Sequence, residues 1–232
     1  MKLYTPNNHV VVELNDRYYV IDTGSPYSFD FYGQRAICIE GKTYVLETPL
    51  CGKEIPDRLT GMDIAGFIGL DILSKTGFTI NYKTDDFMFS VDDSTNPSYI
   101  YDEITFRCEP YIFTDDLMVN QHSIRNAIID TGAGVSYLSN EYLSELFKSN
   151  EKFEDESPML GSITGLFYEG NLAVKNKPSD PFVRKAKFGR KPDAEVLSNF
   201  GAFIGPSLLT DNCVSFDFRR NVIRIIRSNF VV

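Results

Sequence analysis

Short apolar runs along the chain are separated by clusters of Asn, Asp, Gly and Pro, the pattern of β-strands joined by tight turns. Residues 9–14 and 17–21 make one such pair across Asn15-Asp16, a favourable two-residue hairpin turn. Residues 36–40 and 43–47 make another around Gly41-Lys42, and a loop punctuated by Pro and Gly is expected over 49–61. The run Gly66-Phe67-Ile68-Gly69-Leu70-Asp71-Ile72-Leu73 reads as a strand entering a short helical turn, and residues 78–82 and 87–91 close a hairpin around 83–86. The polar, turn-rich stretch 92–98 then separates two units, predicted to span residues 1–97 and 98–232.

In the second unit, residues 104–108 and 111–113 precede a predicted hairpin of 117–119 with 124–129. Ser139 or Asn140 suits the cap of a helix carrying Tyr142, Leu143, Leu146 and Phe147 on one face. The basic stretch 175–191 is interrupted by Pro, Asp and Gly and reads as a solvated loop or edge strand.

The second unit repeats the first. Val20-Ile21-Asp22-Thr23-Gly24-Ser25 matches Ile128-Ile129-Asp130-Thr131-Gly132-Ala133, with Ser28 falling on Ser136 and Phe29 on Tyr137. Later, Phe67-Ile68-Gly69 matches Phe203-Ile204-Gly205, and from there the halves run in step, with Ile80 on Phe216 and Tyr82 on Phe218. The offset is 108 positions at the aspartates but 136 at the Phe-Ile-Gly elements, so the second unit holds 28 additional residues between its two motifs. An Asp at the end of a buried apolar strand is costly unless something pairs with it. Two in matching contexts suggest that they pair with each other.

Composition narrows the function classes. Eighteen Phe, thirteen Tyr and no Trp favour β structure. A net charge of -9 makes nucleic acid or an anionic membrane an unfavourable partner, and no stretch has the length and apolarity of a membrane span. The start has no apolar signal-peptide core, so a cytoplasmic protein is expected. Cys38, Cys51, Cys108 and Cys213 lack metal-ligand spacing and read as free, mostly buried thiols, with a Cys38 to Cys51 bridge as the alternative in an exported chain. His9 and His122 lie in no recognisable motif and read as surface residues, which disfavours Ser-His-Asp and Cys-His chemistry. No GxGxxG, Walker A or HExxH pattern occurs, so no cofactor or metal is indicated.

On these motifs the chain resembles the pepsin and retropepsin-like aspartic peptidases, in which each lobe carries an Asp-Thr/Ser-Gly and a later apolar-apolar-Gly element. The resemblance implies an all-β acid-protease fold with short helices, made of two related retropepsin-like lobes around an interlobe cleft. It implies Asp22 and Asp130 as catalytic carboxyls sharing one proton across a pseudo-twofold axis. Thr23 and Thr131 would exchange hydrogen bonds beneath them, while Gly24 and Gly132 allow the close approach. Ser25 would supply a hydroxyl to Asp22 that Ala133 cannot supply to Asp130, which predicts a less acid optimum. The implied activity is an aspartic endopeptidase, a monomer that supplies both aspartates itself, takes an extended polypeptide in the cleft, and needs no covalent intermediate, metal or cofactor. The flap over the substrate is either the hairpin around Gly41-Lys42, with Tyr44, or the 161–170 region, with Tyr168. The terminal segments 3–5 and 230–232 would pair in a sheet bridging the lobes.

Two rivals remain. The strand-end aspartates can be plain turn formers. The chain can also be a catalytically weak or inactive pepsin-like protein that binds a peptide or protein, since fold does not fix function.

Overall fold

The computed structural model describes residues 1–49, 51–91, 100–157, 161–175 and 183–227. The chain is mostly β-sheet with a few short helices. Its first half contains strands β1 (Leu3–Tyr4), β2 (Val11–Leu14), β3 (Arg17–Ile21), β4 (Phe29–Asp30), β5 (Ala36–Ile39) and β6 (Lys42–Val45), then helix α1 (Glu54–Thr60), strand β7 (Ile64–Ile68), helix α2 (Leu70–Thr76) and strands β8 (Phe78–Asn81) and β9 (Asp86–Met88). Its second half contains β10 (Ile100–Thr105), β11 (Arg107–Cys108), β12 (Ile112–Thr114), β13 (Leu117–Val119), β14 (His122–Ser123), β15 (Ala127–Ile129), β16 (Ser136–Leu138), helix α3 (Asn140–Leu143), and β17 (Phe147–Ser157) to β22. The last five after β17 are β18 (Gly161–Val174), β19 (Val183–Arg190), β20 (Ala202–Ile204), β21 (Cys213–Asp217) and β22 (Val222–Arg227).

Three sheets carry the architecture among the described residues. The first runs β1-β2-β3-β7-β4, and the largest runs β11-β12-β15-β20-β16-β19-β18-β13-β14, with β17 paired to β18. The third, β10-β22-β21-β8-β9, takes strands from both halves of the sequence. At its centre β8 and β21 are antiparallel, with Thr79 opposite Ser215 and Phe78 opposite Phe216. The Phe78 and Phe216 rings stack 4.2 Å apart. The Thr79 and Ser215 hydroxyls meet at 2.5 Å, across the same 136 positions that separate the repeated Phe-Ile-Gly elements. Thr79 and Ser215, equivalent positions of the repeat, thus face each other, while Phe78 faces Phe216, the counterpart of Ile80. One apolar core, including Ile21, Ile68, Phe78, Ile129, Ile204 and Phe216, runs continuously through both halves.

The first hairpin forms as its turn demands: Asn15 and Asp16 both adopt positive φ, 54° and 60°, the geometry of a two-residue turn whose twist suits the strands. Several expectations are corrected. The span 49–61 is not all loop, because α1 occupies Glu54–Thr60. Pro56 stands in its first turn, where a missing N–H costs nothing, and Gly61 (φ 68°) ends it by donating to the Asp57 carbonyl. Strand β15 does not pair with β13; it lies antiparallel to β12 and parallel to β20, while β13 pairs with β14 and β18, and of the expected partner only the Ile124 N–H bonds it, at the Leu117 carbonyl (2.9 Å). The predicted amphipathic helix stops after Leu143, and Phe147, 71% exposed, instead opens β17. Long-range pairing of β17 with β18 outweighs the local apolar spacing. Within the basic stretch, β19 is an interior strand between β16 and β18 rather than an edge or loop, and residues 176–182 lie outside the described residues.

The predicted boundary at 97/98 and the terminal segment 230–232 also lie outside the described residues. At the other end Leu3 pairs with Val12, and the Met1 and Phe87 backbones bond each other beside β9. All four cysteines are free thiols, and Cys38 is exposed rather than buried. No helix among the described residues is long and apolar enough to cross a membrane.

Candidate active site

Both Asp-Thr-Gly tripeptides leave a buried strand that runs parallel to the strand of the later Phe-Ile-Gly element, β3 beside β7 and β15 beside β20. The apolar pairs Val20-Ile21 and Ile128-Ile129 are what bury those strands. The parallel register brings the Asp22 N–H to the Ile68 carbonyl at 3.0 Å and the Asp130 N–H to the Ile204 carbonyl at 2.9 Å. Each aspartate is therefore pinned through its backbone before its side chain is considered.

The threonines join the halves. The Thr23 N–H donates to the Thr131 hydroxyl at 3.0 Å, and the Thr131 N–H donates to the Thr23 hydroxyl at 2.9 Å. Each hydroxyl then donates onward to a carbonyl of the opposite strand, Thr23 to Ile129 at 2.7 Å and Thr131 to Ile21 at 2.6 Å. Both threonines are fully buried, so four bonds are made where water cannot compete.

That arrangement sets each carboxyl on the other half's glycine. A Cβ added to Gly24 would stand 2.4 Å from Asp130 Cγ, and one added to Gly132 would stand 2.4 Å from Asp22 Cγ. No side chain fits at either position. The Gly24 N–H donates to Asp22 Oδ1 at 2.8 Å and the Gly132 N–H to Asp130 Oδ1 at 2.9 Å. Behind the loops, Ser28 accepts from the Gly69 N–H at 2.8 Å and donates to Asp71, while Ser136 accepts from the Gly205 N–H at 3.0 Å and meets the Ser207 hydroxyl at 3.1 Å. The repeat is thus carried into the shell of groups that holds the loops.

Desolvation raises the Asp22 carboxyl well above the usual carboxylate range, and the Asp130 charge and hydrogen bond raise it further, against the Gly24 and Ser25 N–H groups. Desolvation also raises Asp130, opposed by its hydrogen bond with Asp22, the Gly132 N–H and the charge of His9. Each carboxyl therefore acts on the ionisation of the other. Ser25 does not act as expected: its single hydroxyl proton goes to the Tyr27 carbonyl at 2.8 Å. The difference between Ser25 and Ala133 therefore lies outside the side-chain bonding of the carboxylates.

Two neighbours were not legible as site residues. His9, expected at the surface, is buried against the loop after Asp130, while His122 is exposed and bonds Glu145. Asp155 on β17 accepts from the Tyr137 hydroxyl at 2.6 Å and from the Glu156 N–H at 2.9 Å; burial raises its carboxyl. Asp155 lies between the two motifs of the second unit, where 28 additional residues break the register of the repeat. Next to it Glu156 pairs with Arg58 on α1, so the β17–β18 hairpin touches the first half. The tip of the β5–β6 hairpin goes elsewhere: Ile39 and Glu40 line a cavity of about 230 Å³ with Met1, Leu14 and Phe87 to Ser90, none of them in an Asp-Thr-Gly loop. Among the described residues no group of three His, Cys, Asp or Glu is placed to hold a metal ion.

No protein-family model and no curated protein sequence matches the chain. Among solved structures, basic 7S globulin from soybean is similar over 96% of this chain and 94% of its own, with 10% identity and a TM-score of 0.57. Conglutin gamma, a basic 7S globulin from lupine seeds, is similar over 81% of this chain and 62% of its own, with 15% identity and a TM-score of 0.46. At 10% identity the soybean likeness establishes a shared fold and nothing about activity.

Proposed function

We propose that the chain is an aspartic endopeptidase of two retropepsin-like lobes, with Asp22 and Asp130 as the catalytic carboxyls. The observation that carries this reading is the reciprocal Thr23–Thr131 bonding, which holds two desolvated carboxyls over each other's glycines. With one proton between them, ionised Asp130 takes a proton from a water as its oxygen attacks the peptide carbonyl carbon. Asp22 gives its proton to the carbonyl oxygen. The resulting diol collapses: one hydroxyl proton returns to the dyad, the amide nitrogen leaves protonated by the other carboxyl, and one water has been consumed. Thr23, Gly24, Ser25, Thr131, Gly132 and Ala133 position the pair through their backbones and, for the threonines, their hydroxyls. The β17–β18 hairpin is the flap in this reading, because Asp155 accepts from Tyr137 on β16 and Glu156 pairs with Arg58 on α1. The substrate lies extended in the cleft, bonded through its backbone, and one chain suffices.

A second reading has its own support: a protein of this fold that binds a peptide or protein and does not cleave it. The soybean structure, similar over nearly the whole chain, is named as a globulin. Incubation with an unfolded protein substrate separates the two. The endopeptidase reading expects fragments from the parent chain and none from Asp22→Asn or Asp130→Asn. Cleavage surviving either substitution refutes the dyad; peptide binding without fragments at any pH establishes the second reading.

A further inference from the structure

The N-terminal 3₁₀ turn, Pro6–Asn8, is fastened to both halves of the sequence. Asn7 Nδ2 donates to the Leu59 carbonyl on α1 at 2.6 Å, and Asn8 Nδ2 donates to the Gly134 carbonyl, in the loop after Asp130, at 3.2 Å. His9, 5% exposed, packs behind the turn: its Nδ1 lies 3.1 Å from the Asn7 carbonyl, and a Cβ on Gly134 would stand 2.8 Å from its Cε1. From Gly134 the chain enters β16, where the Tyr137 hydroxyl donates to Asp155 on β17 at 2.6 Å. Beside Asp155, the Glu156 carboxylate pairs with Arg58, the neighbour of Leu59 on α1. These contacts close a ring that runs from the turn to the Asp130 loop, β16, β17, α1 and back to the turn.

The loop after Asp22 has no such ring. Pro26 holds the place after Asp22 that Gly134 holds after Asp130. Among the described residues the bonds of Ser25, Pro26 and Tyr27 stay within the first half: the Leu70 N–H donates to the Ser25 carbonyl at 2.9 Å, the Asp71 N–H to the Pro26 carbonyl at 3.2 Å, and the Ser25 hydroxyl to the Tyr27 carbonyl. The Tyr27 side chain is left in the open, 52% exposed. The reciprocal Thr23–Thr131 bonding relates the two loops about one axis, so Gly134 and Pro26 stand on opposite sides of it. One side is bridged between the halves and the other is not.

We propose that this ring is an end wall of the cleft that selects substrates by length: a polypeptide reaches the dyad with only a few residues on the Gly134 side of the cut bond and runs on freely past Tyr27. The substrate class is a chain with a free end close to that bond. This rests on the reading of Asp22 and Asp130 as a catalytic pair beneath the β17–β18 hairpin. On the Gly134 side such a chain meets the Asp130 loop below, α1 and the N-terminal turn ahead, and β17 above. An extended chain advances about 3.3 Å per residue, so a longer one must break the Arg58–Glu156 pair or displace Asn8 from Gly134.

The test maps the bonds that the full chain cuts in unfolded proteins, then uses a short synthetic peptide around one of them, lengthened by about four residues on either its amino or its carboxyl side. Cuts are expected close to the same terminus in every substrate. Lengthening on one side is expected to lower kcat/KM by at least about tenfold, mainly through KM, and lengthening on the other to leave it unchanged. In the double variant Arg58→Ala/Asn8→Ala, which frees two links of the ring, the penalty should vanish. Equal tolerance of both lengthened peptides by the parent, cuts far from either end, or a penalty undiminished in a folded double variant overturns the proposal. If no peptide is cut, the endopeptidase reading fails by itself, and the affinities of the same peptides for the chain decide on the wall. A one-sided loss of affinity that the double variant restores keeps it; equal affinities remove it.

Discussion

Thr23 and Thr131, 108 positions apart in the chain, each spend their backbone N–H on the other's hydroxyl. Because both are fully buried, removing one hydroxyl strands two groups at once. In Thr131→Val the Thr23 N–H and the Ile21 carbonyl lose their partners, at a cost of about 2–4 kcal/mol. Thr131→Ser keeps the hydroxyl and should cost about 1 kcal/mol, mainly for the lost methyl. Urea denaturation of the two variants checks this; equal losses would mean that the methyl packing, not the hydrogen bonding, joins the halves.

The glycines set a steric limit. Gly132→Ala places a methyl 2.4 Å from Asp22 Cγ, so the carboxyl must move or the loop must open. Cleavage by Gly132→Ala is expected to fall by at least about 100-fold, the scale of a misplacement of about 1 Å at a reacting group. Wild-type turnover in that variant would show that the carboxyls need not cross the opposite glycines.

Much of this geometry is written in the sequence because it is built from local repeats. The buried pairs before Asp22 and Asp130 and the Phe-Ile-Gly elements each specify a strand, and their duplication specifies that the strands meet equivalently. What was not legible depends on partners distant in the chain. Residues 142, 143, 146 and 147 have helical spacing, yet Phe147 goes to β17 because residues 161–174 supply a partner strand. Pro56 and Gly61 read as loop residues until their places, first turn and C-terminal cap, are known. His9 is buried by Gly134, and no local pattern announces a contact made across the two halves.

The latch between Arg58 and Glu156 is partly exposed, with side-chain exposures of 64% and 19%, so it contributes little to global stability. Arg58→Ala is expected to change the unfolding free energy by less than about 1 kcal/mol. Its effect should be local, as faster amide hydrogen exchange in β17 near Asp155 and Glu156. If exchange there is unchanged, the hairpin is held by its own packing, including Phe153 against Tyr137, and the ion pair does not tether it.

Burial of the dyad has a thermodynamic sign. Asp22 has a folded-state pKa raised above its ordinary 3.8, so the folded chain holds a proton that the unfolded chain releases as pH rises. The stability linked to that proton is fully present below the unfolded pKa, near 3.8, and is lost as pH climbs through the folded value. Asp22→Asn removes the titration while keeping a neutral side chain of the same shape. Its stability relative to the parent should therefore increase from acid towards neutral pH, by about 1.4 kcal/mol for each pH unit between the two pKa values. Melting temperatures of parent and variant across that range give the measurement. A difference that stays constant with pH would mean that Asp22 is ionised in the folded chain as readily as in the unfolded one, and the shared proton would have to be abandoned.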